Sequence, residues 1–414
     1  MAQDRNINAT RIMVYSHDAF GLGNLRRMLA ICKHLLHYWP DLSILLVSGS
    51  PMIHEFRLPR GLDYIKLPCL NRGTAGKLCA KYLGTSIEET VALRSHLIQL
   101  AAVHFEPDLL LVDKKPTGLE GELAATLNDL KNKLPNSKCV LLLRDILDTP
   151  KKTVDEWVRW RHYHTIKTYY DQILIVGMSA VFDLVKAYRL PWSIAQKVRY
   201  CGYIYKSSEP AELPMVISTD GSERLVLVTP GGGEDGYGLV SHYLSGLNAL
   251  QQALEPAAQT FRSVIFCGPD MPLAQQRQLQ QLAADCQGVT FKRFTNQVLS
   301  YLNAADVVVS MGGYNTMTEI LSFQKPAVVV PRISPSQEQL IRATRFAKKN
   351  WISMIHPDQV TGASLIQAVL RQLSTPLPPP DDIDFNGLPQ VAHHLSKLVS
   401  PPQSKIAPFI GLSA

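Results

Sequence analysis

The chain has 414 residues, of which 46% are hydrophobic and 19% are charged, and its formal net charge is +7. That length exceeds what one hydrophobic core organises, so the sequence predicts two soluble globular domains. No apolar run approaches the ~20 residues of a membrane-spanning helix, and the polar start lacks the apolar core of a signal peptide. Seven scattered cysteines without metal-ligand spacing predict buried, reduced thiols in a cytoplasmic protein.

The first predicted strand, Arg11–Ser16, leads into a loop that contains Gly21 and Gly23. At the start of an α/β domain, such a loop lies at the carboxyl edge of the sheet, where ligands bind. The third glycine of a dinucleotide-binding fingerprint is absent. Arg26 and Arg27 follow at the start of a helix, where positive charge is unfavourable, so we expect at least one of them to have an anionic or polar partner.

Alternating strands and helices fill the rest of the first domain. Strands are predicted at residues 42–48, 64–67, 108–112, 139–145, 172–176 and 198–202, and helices at residues 28–38, 119–133 and 154–170. Asp113, Arg144 and Asp145 stand at strand ends, on the same edge of the sheet as His17. For His17, an ordinary loop histidine with satisfied hydrogen bonds stays open as the alternative to a functional role.

A polar segment with two prolines, residues 206–224, is predicted to link the domains. The pattern then restarts, with strands at residues 225–229, 263–267, 289–291, 307–310, 327–330 and 352–355. The first of these runs into Gly231-Gly232-Gly233, a turn whose backbone N–H groups can surround phosphate oxygens. Because the Gly-Lys-Ser/Thr ending of a P-loop is missing, we do not expect an ATPase. Residues 375–414 are predicted to form a proline-rich tail with a short helix.

The strand at residues 307–310 continues into Gly312, Gly313 and a helix. Glycine lets a ligand approach the backbone closely, and a new helix offers free N–H groups to an anion. Glu319 follows about one turn into that helix, where its carboxylate can accept hydrogen bonds from sugar hydroxyls. An ordinary strand, turn and helix with a structural glycine pair remains the alternative.

One feature of the chain is the pair of Rossmann-like domains, each opened by a glycine loop. The other is the string Gly312-Gly313-Tyr314-Asn315-Thr316-x-x-Glu319, followed by Pro331 and Glu338-Gln339. In both features the chain resembles a GT-B glycosyltransferase of the MurG-like kind, with a glycosyltransferase family 28 C-terminal domain. The resemblance is specific over residues 225–373 and looser before them. It implies two doubly wound α/β domains facing across a cleft. Residues 1–205 would bind the acceptor, residues 206–224 would link the domains, and residues 225–374 would bind a nucleotide sugar.

The resemblance also implies roles for single residues. Those that would bind the donor are Gly231, Gly232 and Gly233 at the diphosphate, Gly312, Gly313, Asn315 and Thr316 at a phosphate or the ribose, Glu319 at the ribose hydroxyls, and Glu338 and Gln339 at the transferred sugar. The helix-starting Glu338 and Gln339 alternatively satisfy the helix dipole. Those on the acceptor side would be Gly21, Gly23, Asn24 and Arg26.

One residue departs from the family's amino-terminal motif, which is usually Gly-x-Gly-His. Asn24 stands at the place of the histidine, and an amide cannot take up a proton near neutral pH. We therefore predict that His17 or Asp18 supplies the catalytic base. A reaction that needs no base at this position, or a lost activity, are the other interpretations.

The predicted function is transfer of a sugar from a nucleoside diphosphate sugar, with UDP as the preferred nucleotide, to an unidentified acceptor. No metal or other cofactor is expected, because no Asp-x-Asp pattern stands at a strand end, and we interpret Asp381, Asp382 and Asp384 as solvated charge. The alternatives are a nucleotide-sugar hydrolase or epimerase of related fold and a non-catalytic nucleotide-sugar-binding protein.

Partners follow from composition and from the resemblance. The acceptor is either a lipid or a small molecule. Any membrane contact would be peripheral, at the inner face and through the basic and aromatic surface of the first domain, and an ordinary packed helix at residues 154–170 is the preferred alternative. A nucleic acid is not expected as a partner, because the sequence lacks the interleaved basic and aromatic residues typical of RNA binding.

Overall fold

A computed structural model describes residues 10–17, 23–72, 78–204, 224–253, 261–295 and 297–399. The strands in these ranges are β1 Arg11–Ser16, β2 Ser43–Ser48, β3 Leu62–Lys66, β4 Leu70–Arg72, β5 Leu78–Ala80, β6 Leu109–Asp113, β7 Lys138–Arg144, β8 Gln172–Val176, β9 Val198–Tyr200, β10 Leu225–Thr229, β11 Arg262–Phe266, β12 Val289–Lys292, β13 Val307–Ser310, β14 Ala327–Val329 and β15 Ser353–Met354. The helices are α1 Gly23–Tyr38, α2 Ile87–Phe105, α3 Ala124–Lys133, α4 Pro150–Arg159, α5 His162–Tyr169, α6 Leu184–Ala187, α7 Trp192–Ala195, α8 Tyr237–Ala253, α9 Leu273–Ala284, α10 Val298–Ala304, α11 Tyr314–Ser322, α12 Glu338–Lys348, α13 Gly362–Ser374 and α14 Gly387–Ser396.

The first domain is built on a parallel sheet with the strand order β3-β2-β1-β6-β7-β8-β9 in the described part of the chain. Its central strands read as continuous apolar runs, as in β6, where every residue is buried. Such runs are typical of parallel strands, because crossover helices cover both faces of the sheet. The strand order reverses on either side of β1, so the loops after β1 and β6 diverge and leave a crevice at the carboxyl edge.

The second domain repeats this plan with the parallel order β12-β11-β10-β13-β14-β15. Here β10 lies between β11 and β13, and Thr229 at the end of β10 is paired with Ser310 at the end of β13. The turns that follow these two strands therefore leave the sheet side by side. The structure confirms two Rossmann-like domains that face each other across a cleft.

Three predicted helices begin or end at other residues than expected. Helix α1 begins at Gly23 rather than at residue 28, and α3 begins at Ala124, after a short 3-10 turn, rather than at residue 119. The helix predicted over residues 154–170 is wrong as a single element, because Arg161 adopts a left-handed backbone (φ 54) between α4 and α5. This reversal packs Trp157 edge-to-face against Tyr163, with ring centroids 5.4 Å apart.

The two domains are held together by buried polar contacts. Arg342 of α12 donates two hydrogen bonds to Asp145 after β7, from Nε to Oδ2 (2.9 Å) and from Nη2 to Oδ1 (2.8 Å). These side chains are 0% and 1% exposed. The hydroxyl of Tyr314 donates to the carbonyl of Val176 at 3.0 Å, so the start of α11 is also fixed to the first domain.

The end of the described chain returns to the first domain. The amide of Tyr203 donates to the carbonyl of Asp384, and the amide of Gly387 donates to the carbonyl of Tyr203. Helix α14 then packs on α1, with Val391 and Leu395 in the first domain's core. The carboxylate of Asp384 accepts hydrogen bonds from the backbone and side chain of Asn386 at the surface.

The domain boundaries stay predictions, since residues 206–223 of the proposed linker and residues 400–414 of the tail lie outside the described residues. Among the helices that are described, none combines the length and the apolar character needed to cross a lipid bilayer.

Candidate functional site

The carboxyl ends of both sheets border a cavity of about 650 Å³. The first domain contributes the loops after β1, β6 and β7, and the second contributes the loops after β10, β11, β13 and β14. A cavity of this volume between two domains is typical of a small-molecule site.

The turn after β10 can be built only with glycine at two positions. Gly231 (φ 83) and Gly233 (φ 92) adopt left-handed backbone, and a Cβ on Gly233 would lie 2.2 Å from the carbonyl oxygen of Cys267. The amide of Asp270 donates to the carbonyl of Gly232 at 2.9 Å, which fixes this turn against the loop after β11. Helix α8 begins directly after the turn, at Tyr237.

The turn after β13 places a second helix N-terminus beside the first. Gly312 has a left-handed backbone (φ 81), and Gly313 precedes α11 without a side chain that caps the helix in the described part. A Cβ on Gly231 would be 3.9 Å from Oγ1 of Thr316, so the two turns are neighbours. Free N–H groups and two helix dipoles therefore converge on one side of the cavity and favour an anion there.

Glu338, predicted to contact the transferred sugar, is used in the junction between the domains. Its side chain is 7% exposed and lies 2.9 Å from Nη2 of Arg144. Although burial opposes the shift, Arg144 and Arg342 lower the pKa of Glu338 to about 2. Gln339 accepts a hydrogen bond from the amide of Arg332. Contact of Glu338 and Gln339 with a sugar stays a prediction.

Asn24 is held within the first domain. Its Nδ2 donates to the carbonyl of His17 at 2.6 Å, and its Oδ1 accepts from Arg27 at 3.2 Å. Arg27 also pairs with buried Asp113 at 2.7 Å, which is the anionic partner expected for one arginine of this helix. Asn24 therefore connects His17 to Arg27 through both ends of its amide.

His17 is buried at the cavity wall, and its Nδ1 has no hydrogen-bond partner among the described residues. Burial, and next the positive charges of Lys114 and Lys115, hold the pKa of His17 well below its usual 6.5. The imidazole is therefore neutral at pH 7 and can accept a proton.

Lys114 follows β6 and reaches the same cavity. Its backbone is left-handed (φ 70), and its amide donates to the carbonyl of Leu142 at 2.9 Å. Burial, followed by the charge of Arg144, lowers the pKa of Lys114 to about 8. Sequence reasoning missed this side chain, although Lys114 directly follows Asp113, which the sequence predicts to stand at a strand end.

The structure brings most of the sequence-predicted residues to this one cavity. Those that line it are His17, Gly23, Asn24, Arg26, Gly231, Gly232, Gly233, Gly313, Asn315, Thr316, Glu319, Glu338 and Gln339. Gly312 lies behind the wall, where its carbonyl accepts a hydrogen bond from Arg342. Asp18 and Gly21 lie outside the described residues. Other side chains at the cavity that sequence reasoning missed are Lys115, Asp235, Asp270 and Arg332.

No group of three or more His, Cys, Asp or Glu side chains that could hold a metal ion occurs within the described ranges. Metal independence itself stays a prediction.

These features, two parallel α/β domains with a cavity between their carboxyl edges, define a protein of the GT-B fold. Two solved structures have this fold and little sequence in common with the chain. S. aureus MnaA, in a co-structure with UDP, has a TM-score of 0.60 at 12% identity and covers 96% of this chain and 98% of its own. MurG from Acinetobacter baumannii has a TM-score of 0.54 at 12% identity, with 94% and 99% covered.

Sequence comparison then identifies the second domain. Residues 239–384 match the family model of the glycosyltransferase family 28 C-terminal domain, which confirms the resemblance inferred from the glycine and Glu-Gln motifs. A UDP-N-acetylglucosamine--N-acetylmuramyl-(pentapeptide) pyrophosphoryl-undecaprenol N-acetylglucosamine transferase from Shouchella clausii is 25% identical over 126 residues. That alignment covers 29% of this chain and about a third, 33%, of the relative's length.

Proposed function

We propose that this protein is a glycosyltransferase that moves a sugar from a UDP-sugar to an acceptor hydroxyl without a metal ion. One observation carries the proposal: two glycine turns and two helix N-termini face a buried, neutral histidine across a single cavity. The match of residues 239–384 to a glycosyltransferase domain supports the same activity.

The second domain would bind the donor. Backbone N–H groups at Gly232 and Gly313 can hold the diphosphate, and Glu319, half-buried at the cavity, can accept hydrogen bonds from the ribose hydroxyls. UDP is the nucleotide that we favour, because the Shouchella clausii relative is named for a UDP-sugar and S. aureus MnaA was solved with UDP.

His17 would take the acceptor's proton. The acceptor oxygen attacks the anomeric carbon, the bond from that carbon to the diphosphate breaks, and the electron pair leaves with the diphosphate. The hydroxyl proton passes to the neutral imidazole of His17. The dipoles of α8 and α11 would stabilise the negative charge that grows on the leaving group. Asn24 does not compete for this role, because its amide is already hydrogen-bonded at both ends.

The first domain would bind the acceptor, which is a lipid or a small molecule. Contact with the inner face of a membrane belongs to this proposal, and exposed Trp160 and Trp192, accompanied by exposed Arg161, support it. Sedimentation with anionic vesicles tests the contact, which we expect to weaken when both tryptophans are changed to serine.

A calorimetric titration tests the donor site. We expect UDP-sugars to bind the wild type more tightly than GDP-, ADP- or dTDP-sugars, and Glu319→Gln to weaken that binding about tenfold. Asp285→Asn removes an exposed carboxylate of the same domain, outside the cavity, and should bind like the wild type. If no nucleotide sugar binds the wild type, the proposal fails.

UDP release then separates transfer from the alternatives. A transferase releases UDP faster when an acceptor is added, and chelation with EDTA leaves the rate unchanged. Equal release with and without acceptors would indicate a hydrolase. Binding without net release would indicate an epimerase if the configuration of the recovered sugar has changed, and a non-catalytic protein if it has not.

A further inference from the structure

The junction between the domains concentrates positive charge around one carboxylate. The cations that act on Glu338 are Arg144, Arg332, Arg342 and Lys114. Each arginine has a close ionic partner: Arg144 pairs with Glu338 at 2.9 Å, Arg332 with Asp235 at 3.0 Å, and Arg342 with Asp145 at 2.8 Å. The ammonium of Lys114 has no hydrogen bond or ion pair within the described part of the chain.

The backbone holds Lys114 in this position. A left-handed conformation (φ 70) is uncommon for a lysine, and it is fixed by hydrogen bonds from the amides of Lys114 to Leu142 and of Lys115 to Asp113. Strained residues of this kind concentrate at ligand sites, where the rest of the fold supports them. The strain here sets the direction of a charged side chain beside the cavity.

Several buried polar atoms of residues that line the cavity lack a hydrogen-bond partner among the described residues, and two of them belong to residues that interact electrostatically with Lys114. These two are Nδ1 of His17, whose side chain is 5% exposed, and Nε of Arg144. Buried polar atoms are nearly always hydrogen-bonded, so unpaired ones at a cavity wall are available to water or to a ligand. Three residues that line one cavity thus supply a cation, an N–H donor and a proton acceptor.

We propose that Lys114 and Arg144 bind an anionic group, a carboxylate or a phosphate, that one of the two reactants carries at the sugar end of the cleft. This inference rests on the proposed function, because it uses the same cavity. It adds that the sugar or the acceptor is acidic close to the reacting atoms. The lowered pKa of Lys114 agrees with an ammonium whose counter-ion arrives with a substrate.

The first experiment asks whether the anion belongs to the donor. UDP, UDP-glucose and UDP-glucuronic acid are titrated by calorimetry into the wild type, Lys114→Gln, Lys114→Arg and Lys151→Gln. A charge-assisted contact predicts that the wild type prefers the uronic acid over UDP-glucose by about tenfold or more. Lys114→Gln should lose this preference and Lys114→Arg should keep part of it. Lys151→Gln makes the same charge change at an 89% exposed lysine of the first domain and should keep all of it.

The second experiment asks whether the anion belongs to the acceptor. Inorganic phosphate is titrated into each protein after saturation with UDP, which fills the diphosphate site. Binding to the wild type that Lys114→Gln weakens about tenfold would assign the anion to the acceptor.

The outcomes separate the two proposals. If UDP binds all four proteins equally, and neither the uronic acid nor phosphate distinguishes the wild type from Lys114→Gln, the inference about Lys114 is wrong while the donor site stands. If UDP binds none of them, the proposed function fails and the inference fails with it.

Discussion

The two walls of the cleft achieve binding by different means. The second-domain wall is mostly backbone: Gly231, Gly233 and Gly312 turn the chain so that N–H groups and helix ends face the cavity. The first-domain wall is mostly ionisable side chains, with His17 and Lys114 at the ends of neighbouring strands. Backbone N–H groups do not titrate near neutral pH, whereas the side chains of His17 and Lys114 gain or lose protons. We therefore expect binding at the second-domain wall to vary little with pH, and the first-domain wall to respond to pH through His17 and Lys114.

The largest effect should come from removing the proton acceptor. His17→Asn is expected to lower kcat about 10²- to 10⁴-fold while the dissociation constant for the UDP-sugar stays unchanged. Because the pKa of His17 lies well below 6.5, its titration should not lower the rate of the wild type at pH 6.5 or above, and the rate should fall in more acidic buffer as the imidazole becomes charged. The rate of UDP release, in an acceptor mixture that supports turnover, measures kcat and its dependence on pH.

His164→Asn, at an exposed histidine of the same domain, is the control and should keep the wild-type rate. If His17→Asn loses UDP-sugar affinity by the same factor as it loses rate, then His17 contributes to donor binding and its role is not limited to proton transfer.

The junction between the walls should be the next most sensitive place. Arg342→Met leaves the carboxylate of Asp145 buried without a partner, and we expect it to lower the free energy of unfolding by about 3–5 kcal/mol. Denaturant titration followed by circular dichroism measures the change. Arg345→Met, at an exposed arginine of the same helix, should stay within about 0.5 kcal/mol of the wild type. Equal stability of the two variants would contradict a structural role for this pair.

The backbone wall can be tested by adding one methyl group. Gly233→Ala places a Cβ 2.2 Å from the carbonyl of Cys267 at φ 92, so we expect a loss of about 1–3 kcal/mol in stability and weaker binding of UDP. Gly238→Ala, in α8 with open space around its Cβ, should instead stabilise by about 0.5–1 kcal/mol. If UDP binds Gly233→Ala as it binds the wild type, that turn does not hold the diphosphate.

The charge of Lys114 on the first-domain wall should lower the free energy of unfolding, and this is the smallest of the effects that we expect. Lys114 has a folded-state pKa of about 8, below its usual 10.5, so between these values the unfolded chain binds more protons and stability rises with pH. Below pH 8 the whole cost is present, and Lys114→Met should stabilise by about 1–2 kcal/mol. Thermal unfolding should show that the difference in stability between Lys114→Met and the wild type is smaller at pH 10 than at pH 7. Arg144 and Lys115 lower this pKa, whereas Glu338 and Asp113 raise it.

The backbone wall was predictable from sequence for a physical reason. Only glycine adopts left-handed turns easily, so a buried apolar run followed by Gly231-Gly232-Gly233 or by Gly312-Gly313 marks both the turn and its place at a strand end. The same logic predicted the strands, since β-branched runs such as Val307–Ser310 fit a covered parallel sheet and little else.

The side-chain wall was not predictable to the same degree. Arg27 and Asp113 are 86 residues apart in the chain, and Arg342 and Asp145 are 197 apart, so sequence spacing does not indicate which charges pair. Glu338 is an example. The sequence predicts a carboxylate at the start of a helix that can contact a sugar, whereas in the folded chain arginines surround this carboxylate. The break at Arg161 likewise depends on the packing of Trp157, which propensity does not report.

The return of α14 to α1 means that the first domain is not a contiguous stretch of chain. Its core is completed by residues that follow the whole second domain, including Val391 and Leu395. A fragment ending at residue 204 would leave an apolar groove uncovered, and a separately synthesised peptide spanning residues 375–399 should fill it. The protein is thus a candidate for reconstitution from two fragments, because completion of the first domain's core depends on a segment that follows the second domain in the chain.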